Sequence, residues 1–195
     1  MAEAIALAED LNDAHGLAVA KWHAGVLACL DQNYPAVERL ATELIELCTR
    51  RNFALWLAGG VVLKGWAQRA LGNHAQALVW IEDGLSDLRA IGANLFLPLY
   101  LGLKADALQA ANRNSDALDA ISEAEALVER FEVRSGASEL YRRRGLLLTI
   151  IGGSPEQAEA AFGEAVSLAK RQESISLLKR AEASYQECCR KKRAR

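Results

Sequence analysis

The chain repeats itself at an interval of about 40 residues, and this repeat limits its fold more than any other feature of the sequence. When the chain is aligned against itself with that shift, small residues fall in register inside four apolar stretches. These residues are Gly25, Gly65, Ala105 and Gly145. A fixed period of this length is typical of architectures in which one supersecondary unit is stacked several times.

Each unit has the pattern of two helices joined by a short turn. Polar breaks divide the units at 31–35, 71–75, 111–115 and 151–155. Asn33, Asn73 and Ser154 are residue types that cap the start of a helix, and Gly72 and Asn112 suit the left-handed conformation that ends one. No segment alternates polar and apolar residues as a half-buried strand does, so the predicted fold class is all-α.

The predicted boundaries follow from these breaks. We expect four helical hairpins within 16–172, at 16–50, 53–91, 95–131 and 136–171. Residues 1–15 match the end of a second helix and form a partial unit, while 173–190 form a C-terminal capping helix before a basic tail at 191–195.

The recurring small residue is expected to let the two antiparallel helices of a unit approach closely. A glycine costs an isolated helix about 1 kcal/mol, which packing in a stacked pair offsets. Gly59 and Gly60 lie outside the repeated position. They mark either a close contact with the preceding unit or a place where another group approaches the backbone.

Composition excludes several classes of protein. Apolar residues make up 51% of the chain and only three residues are proline, so we expect an ordered globular chain. No apolar run reaches the roughly 18 residues that span a bilayer, so no membrane contact is expected. The start, MAEAIALAED, has acids where an export signal needs basic residues, and the four cysteines lack C-x-x-C spacing. These features predict reduced thiols in a cytoplasm.

Charge is divided unevenly along the chain. The segment 170–195 holds nine Lys or Arg against three Glu, a balance of +6, so with a total net charge of −2 the segment 1–169 carries −8. The basic tail is a candidate for contact with nucleic acid or an acidic partner. Because the body is acidic and has no aromatic stacking platform, specific nucleic-acid binding is the less favoured alternative.

The repeated columns resemble the tetratricopeptide repeat, whose usual period is about 34 residues. The stretches 53–72, 84–108, 139–148 and 158–184 are also similar to the tetratricopeptide region at the C-terminal end of large bacterial signalling proteins. In those proteins the region follows an ATPase and an adenylate or guanylate cyclase or a DNA-binding domain. The resemblance implies a right-handed solenoid and a regulatory role in signalling. It does not extend to the cyclase or ATPase activity, because this chain contains neither domain.

No arrangement typical of catalysis is present in the sequence. His15 and His23 have no companion ligand at metal-binding spacing, and His74 lies in a turn. Ser154 is part of neither a G-x-S-x-G motif nor a phosphate loop. We therefore expect no enzyme, no cofactor and no metal.

A groove is the site that the repeat predicts. In stacked helix pairs the first helices line the concave side, where extended ligands bind. The candidate groove residues are Trp22, Val26, Val62, Trp66, Arg69, Gly102, Asp106, Gln109, Glu139, Arg142 and Leu146. Trp and Arg often dominate the energy of protein recognition. The alternative is that Trp22 and Trp66 are core residues between units.

Three functions remain open at this level. The leading hypothesis is a non-catalytic scaffold that binds a protein or peptide, or self-associates, and so regulates a signalling partner. The second is a sensor for a small metabolite in a pocket enclosed by Trp22, Trp66 and Gly59. The third is nucleic-acid contact through the basic tail.

Overall fold

The computed structural model describes the backbone of residues 1–193 and the side chains of residues 1–190. The helices of this part of the chain are α1 (Ala2–Asp10), α2 (Ala14–Leu30), α3 (Tyr34–Arg51), α4 (Ala54–Gln68), α5 (His74–Ala90), α6 (Leu97–Ala110), α7 (Asn114–Phe131), α8 (Ala137–Ile150), α9 (Pro155–Arg171) and α10 (Ile175–Arg193). A short 3₁₀ turn, Arg69–Leu71, follows α4. Residues 1–193 contain no strand, which confirms the all-α prediction.

Neighbouring helices pack in pairs along the chain. The pairs are α2 with α3, α4 with α5, α6 with α7, and α8 with α9. We call α2, α4, α6 and α8 the first helices and α3, α5, α7 and α9 the second helices. Each first helix also contacts the next first helix, and α10 packs on α8 and α9. The side chains of the predicted basic tail, 191–195, lie outside the described residues, although α10 continues to Arg193.

The backbone repeats with the period of the sequence. Left-handed residues end the first helix of each pair at Gln32, Gly72, Asn112 and Gly152. A second set lies before each first helix, at Asn12, Asn52, Gly92 and Glu132. Successive members of both sets are separated by the same interval as the column of small residues in the sequence. Gly72, with φ +79°, and Asn112, with φ +59°, adopt the conformation predicted for them.

The predicted N-cap residues differ in what their side chains do. Asn33 accepts a hydrogen bond from the backbone N–H of Ala36, and Ser154 accepts one from that of Gln157. Asn73 precedes α5 but makes no side-chain cap bond. The sequence thus located all three helix starts, and Asn73 occupies the N-cap position of α5 without a side-chain bond.

Small residues allow close helix contacts, as predicted, at Gly65 and Gly145. A Cβ on Gly65 would lie 2.8 Å from the Ala77 carbonyl oxygen of α5, and one on Gly145 would lie 2.8 Å from the Phe162 ring of α9. Gly25 differs. A Cβ on Gly25 would contact Leu63 of α4, the next first helix, rather than α3, which is paired with α2. Ala105 is buried in α6.

Gly59 and Gly60 both contact neighbouring units. A Cβ on Gly60 would lie 3.1 Å from Cγ1 of Ile45 in the preceding unit. A Cβ on Gly59 would lie 3.1 Å from Trp22 Nε1 and 2.3 Å from the Tyr100 hydroxyl. These glycines therefore let the side chains of α2, α3 and α6 reach the backbone of α4.

The sequence predicted no segment long enough to span a bilayer. Among residues 1–193, no helix is both long enough and apolar enough to cross a bilayer.

Candidate functional site

An aromatic cluster joins α2, α4 and α6, the first helices of the first three units. Its members are His15, Trp22, Phe53, Trp56, Phe96 and Tyr100. Trp22 lies at its centre, with ring centroids 5.4 Å from Trp56 and 5.5 Å from Phe96. The Trp22 indole N–H donates to the Tyr100 hydroxyl across the position of Gly59. This cluster ties α2, α4 and α6 together.

Farther along the same row, buried charges link successive first helices. We call this set the inner ionic network: Arg69, Asp106, Glu139, Arg142, Arg143 and Arg180. The Asp106 carboxylate accepts from Nε and Nη2 of Arg143 at 2.8 and 2.9 Å, and from the Trp66 indole at 3.2 Å. Arg69 donates to the Asp106 carbonyl and to the Tyr34 hydroxyl, each at 3.1 Å.

Glu139 connects this network to the last helix. Its side chain is 5% exposed, and it accepts hydrogen bonds from Arg142 on α8 and Arg180 on α10. Arg180 also donates to the Leu30 carbonyl at the end of α2. One guanidinium therefore joins the first complete unit to the last helix, 150 residues farther along the chain.

Burial and charge shift several pKa values in this region. Burial alone would raise the pKa of Glu139, but Arg143, Arg142 and Arg180 outweigh it and hold that pKa well below its usual range. Burial, together with the nearby Asp106 carboxylate, raises the pKa of the Cys29 thiol. Burial likewise raises the pKa of the Tyr100 hydroxyl. Glu139 is therefore an anion at neutral pH, while the thiol and phenol are neutral.

A partly open cavity of about 400 Å³ lies beside this network, lined by α2, α6, α8 and α10 and by the segments that precede α6, α8 and α10. We call it the inner cavity. Glu139 and Arg143 form its charged part, and Cys29 contributes a buried thiol. Its apolar wall consists of Trp22, Val26, Leu30, Leu95, Phe96, Pro98, Leu99, Leu103, Val133, Leu140 and Leu177.

Most of the predicted groove residues either line the inner cavity or belong to the inner ionic network. Trp22, Val26 and Glu139 line the inner cavity. Trp66, Arg69, Asp106 and Arg142 belong to the network or bond to it. Gln109 and Leu146 are half-buried and stand apart from the inner cavity, while Gly102 packs against Arg143.

Two of the predicted groove positions require correction. Val62 is fully buried, and it packs against α5 where a Cβ on Gly84 would lie 2.6 Å from it. Trp66 is 1% exposed, stacked on Tyr34 at 5.1 Å with Arg69 over its ring. Neither side chain is free to contact a ligand, because each faces the packed interior. The pocket predicted between Trp22, Trp66 and Gly59 is likewise filled by Tyr100.

Arg143 and Arg180 are the important residues that the sequence analysis did not select. Arg143 is the middle residue of a basic triplet, and only the phase of α8 turns it toward Asp106. A usable signal did exist, since charged partners on these helices are about one repeat apart. Arg143 lies 37 residues after Asp106, and Arg180 lies 41 after Glu139.

His15 and His23 have local partners, whereas Nδ1 of His74 is buried without a hydrogen-bond partner among the described residues. The Trp56 indole donates to His15 Nε2 at 3.1 Å, and Nδ1 of His23 contacts the Val19 carbonyl. Among the described residues, no group of three His, Cys, Asp or Glu side chains is placed to hold a metal ion.

Comparison with known proteins adds a likeness of sequence but no activity. No family model matches the chain. The uncharacterized protein R02095 of Rhizobium meliloti (strain 1021) is 25% identical to it over 183 residues. This match covers 94% of the chain but only 18% of that protein, so the chain spans less than a fifth of the relative's length.

Proposed function

We propose that this chain is a tetratricopeptide-like helical array that acts as a non-catalytic protein-interaction module. The paired helices, the continuous row of first helices and the regular recurrence of left-handed turns support the solenoid part of this proposal. The resemblance of 53–72, 84–108, 139–148 and 158–184 to bacterial signalling proteins supports a regulatory role.

The observation that carries the binding role is the apolar rim of the inner cavity. Leu95 is 60% exposed at this rim, and Val26, Leu99, Val133 and Leu177 are half-buried around it. Protein interfaces place apolar contacts of this kind at the centre and polar groups around them. The partner is therefore expected to be a protein segment that presents an apolar side chain to the rim.

Selection of peptides from a displayed random library tests this role. Wild-type protein should enrich a family of sequences with apolar residues, and Leu95→Glu should abolish their binding because it places a charge on the rim. Leu71→Glu is the matched control, since Leu71 is 69% exposed in a turn and lines no part of this cavity. Failure to enrich any sequence, or equal loss in both variants, would contradict the proposal. Light scattering on the same samples reports self-association, the alternative use of such a surface.

A second candidate function is a sensor for a small ligand, and the cavity volume favours it. Small-molecule sites usually enclose about 300–1,000 Å³, mostly apolar with a few polar groups, and the inner cavity has about 400 Å³. A thermal-shift screen of metabolites tests it, with a stabilising compound whose effect is lost in Val26→Trp as the expected result. No stabilising compound, or one that stabilises the filled variant equally, would contradict it.

A further inference from the structure

Three helix N-termini open onto the inner cavity. Its wall contains Phe96 and Pro98 at the start of α6, Gly136 at the start of α8, and Ser174 and Ser176 at the start of α10. Neither α6 nor α8 carries a side-chain cap. The first turn of a helix carries a partial positive charge and favours an anion. In α6 and α8 the N–H groups of Leu97, Ala137 and Glu139 already donate to backbone carbonyls, so the charge of the helix ends, rather than free N–H groups, is what these two helices contribute.

Arg143 is an independent indication of an anionic ligand. Its side chain is 9% exposed, it lines the cavity, and Asp106 accepts from its Nε and Nη2. Among the residues with described side chains, no hydrogen-bond partner is found for its Nη1. A Cβ on Gly102 would lie 3.0 Å from this nitrogen. The absence of a side chain at Gly102 therefore lets the Arg143 guanidinium pack closely against α6.

The balance of charge in the network also favours an anion. Four guanidinium groups of the inner ionic network face two carboxylates, which leaves two positive charges in excess. Glu139 lines the cavity as well, but Arg142 and Arg180 donate to its oxygens. The C-terminus of α2 also faces this region, and its Leu30 carbonyl accepts from Arg180. Charges interact strongly in such a partly buried setting because little water screens them.

We propose that the inner cavity is an effector site for a small organic carboxylate with an apolar body. The carboxylate lies against Arg143 and the N-terminal turn of α10, and the apolar body contacts Val26, Leu99 and neighbouring leucines. A phosphoryl group shares the anionic chemistry, but the mainly apolar wall favours the carboxylate. This inference rests on the small-ligand function and is independent of a protein partner.

Calorimetric titration with a matched pair of probes tests the inference. The probes are 4-phenylbutyrate and 4-phenylbutyramide, which differ in charge but share the apolar body, with inorganic phosphate as the third arm. The carboxylate should bind wild-type protein with a Kd at least tenfold lower than the amide. Phosphate alone should bind more weakly than the carboxylate, because it has no apolar part.

A surface variant separates this role from folding, since loss of Arg143 would also break its pair with Asp106. Ser176→Asp places a fixed negative charge in the first turn of α10 at the cavity wall, where Ser176 is exposed. It should raise the Kd of 4-phenylbutyrate at least threefold and leave the amide unchanged. Ser115→Asp is the matched control, because Ser115 is exposed at the same position of α7 and lines none of this cavity.

Each other outcome overturns the inference in a recognisable way. Equal binding of acid and amide, both lost in Val26→Trp, leaves the small-ligand function standing and refutes the anionic site. Tighter binding of phosphate than of 4-phenylbutyrate replaces the carboxylate with a phosphoryl ligand. If none of the three probes binds, the proposal of a site for a carboxylate with an apolar body is refuted. The peptide selection tests the protein-interaction role separately.

Discussion

The first and second helices form the same repeated unit, yet their ion pairs differ in how far they are buried. On the second helices the Arg89–Glu123 pair is exposed to solvent, with side chains 42% and 45% exposed, whereas Glu125 is 18% exposed and pairs with Arg144 of α8. On the first helices, Asp106, Glu139 and Arg143 are largely buried and bond to one another. A buried ion pair costs more to desolvate than an exposed one and is weak evidence of stabilisation. The first helices therefore keep their charges at an energetic cost.

The largest effect should come from removing one partner of a buried pair. Asp106→Ala leaves the Arg143 guanidinium buried without its carboxylate, and loss of one partner of such a pair costs about 3–5 kcal/mol. Glu123→Ala removes an exposed partner on a second helix and should cost about 0–1 kcal/mol. Urea unfolding measures both changes. An equal loss of unfolding free energy in the two variants would contradict the difference between the first and second helices.

Glycine substitutions should give the next largest difference. A Cβ on Gly65 would lie 2.8 Å from a backbone oxygen, so Gly65→Ala forces α4 and α5 apart, and overpacking of this kind costs about 1–3 kcal/mol. Gly163 on α9 has open space around its Cα, so Gly163→Ala should instead stabilise the protein by up to about 1 kcal/mol through helix propensity. Opposite signs in thermal unfolding are expected. Stabilisation by Gly65→Ala would refute the close helix contact.

The sequence predicted what depends on local signals. The turn residues Gly72 and Asn112 are read from short segments, and the repeat period is read from the chain aligned with itself; both appear in the backbone. The buried network was not predictable in the same way, because it depends on the rotation of each first helix about its axis. Arg142, Arg143 and Arg144 are consecutive, yet they bond to Glu139, Asp106 and Glu125 respectively. The Arg180–Leu30 contact depends on the whole stack, and no local pattern encodes it.

The pH dependence of stability should reveal the buried carboxylate. The pKa of Glu139 is held below its usual range in the folded protein, whereas an unfolded glutamate has a pKa of about 4.3. Its stabilising effect is therefore complete above the unfolded pKa and is lost as the pH falls toward the folded pKa. Between pH 7 and pH 3, the stability gap between wild type and Glu139→Gln should narrow by about 1–2 kcal/mol. A gap that stays constant or widens in urea unfolding would contradict the assignment.

The most direct test of a binding role for the first helices uses the indole N–H signals of the four tryptophans in a ¹H–¹⁵N NMR spectrum. Trp22 on α2 lines the inner cavity, whereas Trp80 lies on the second helix α5 beneath Lys64. Tryptophan-to-phenylalanine variants assign the signals. Titration with 4-phenylbutyrate or a selected peptide should shift the Trp22 signal and leave the Trp80 signal unchanged. A shift confined to Trp80, or no shift of Trp22 at saturation, would contradict the account.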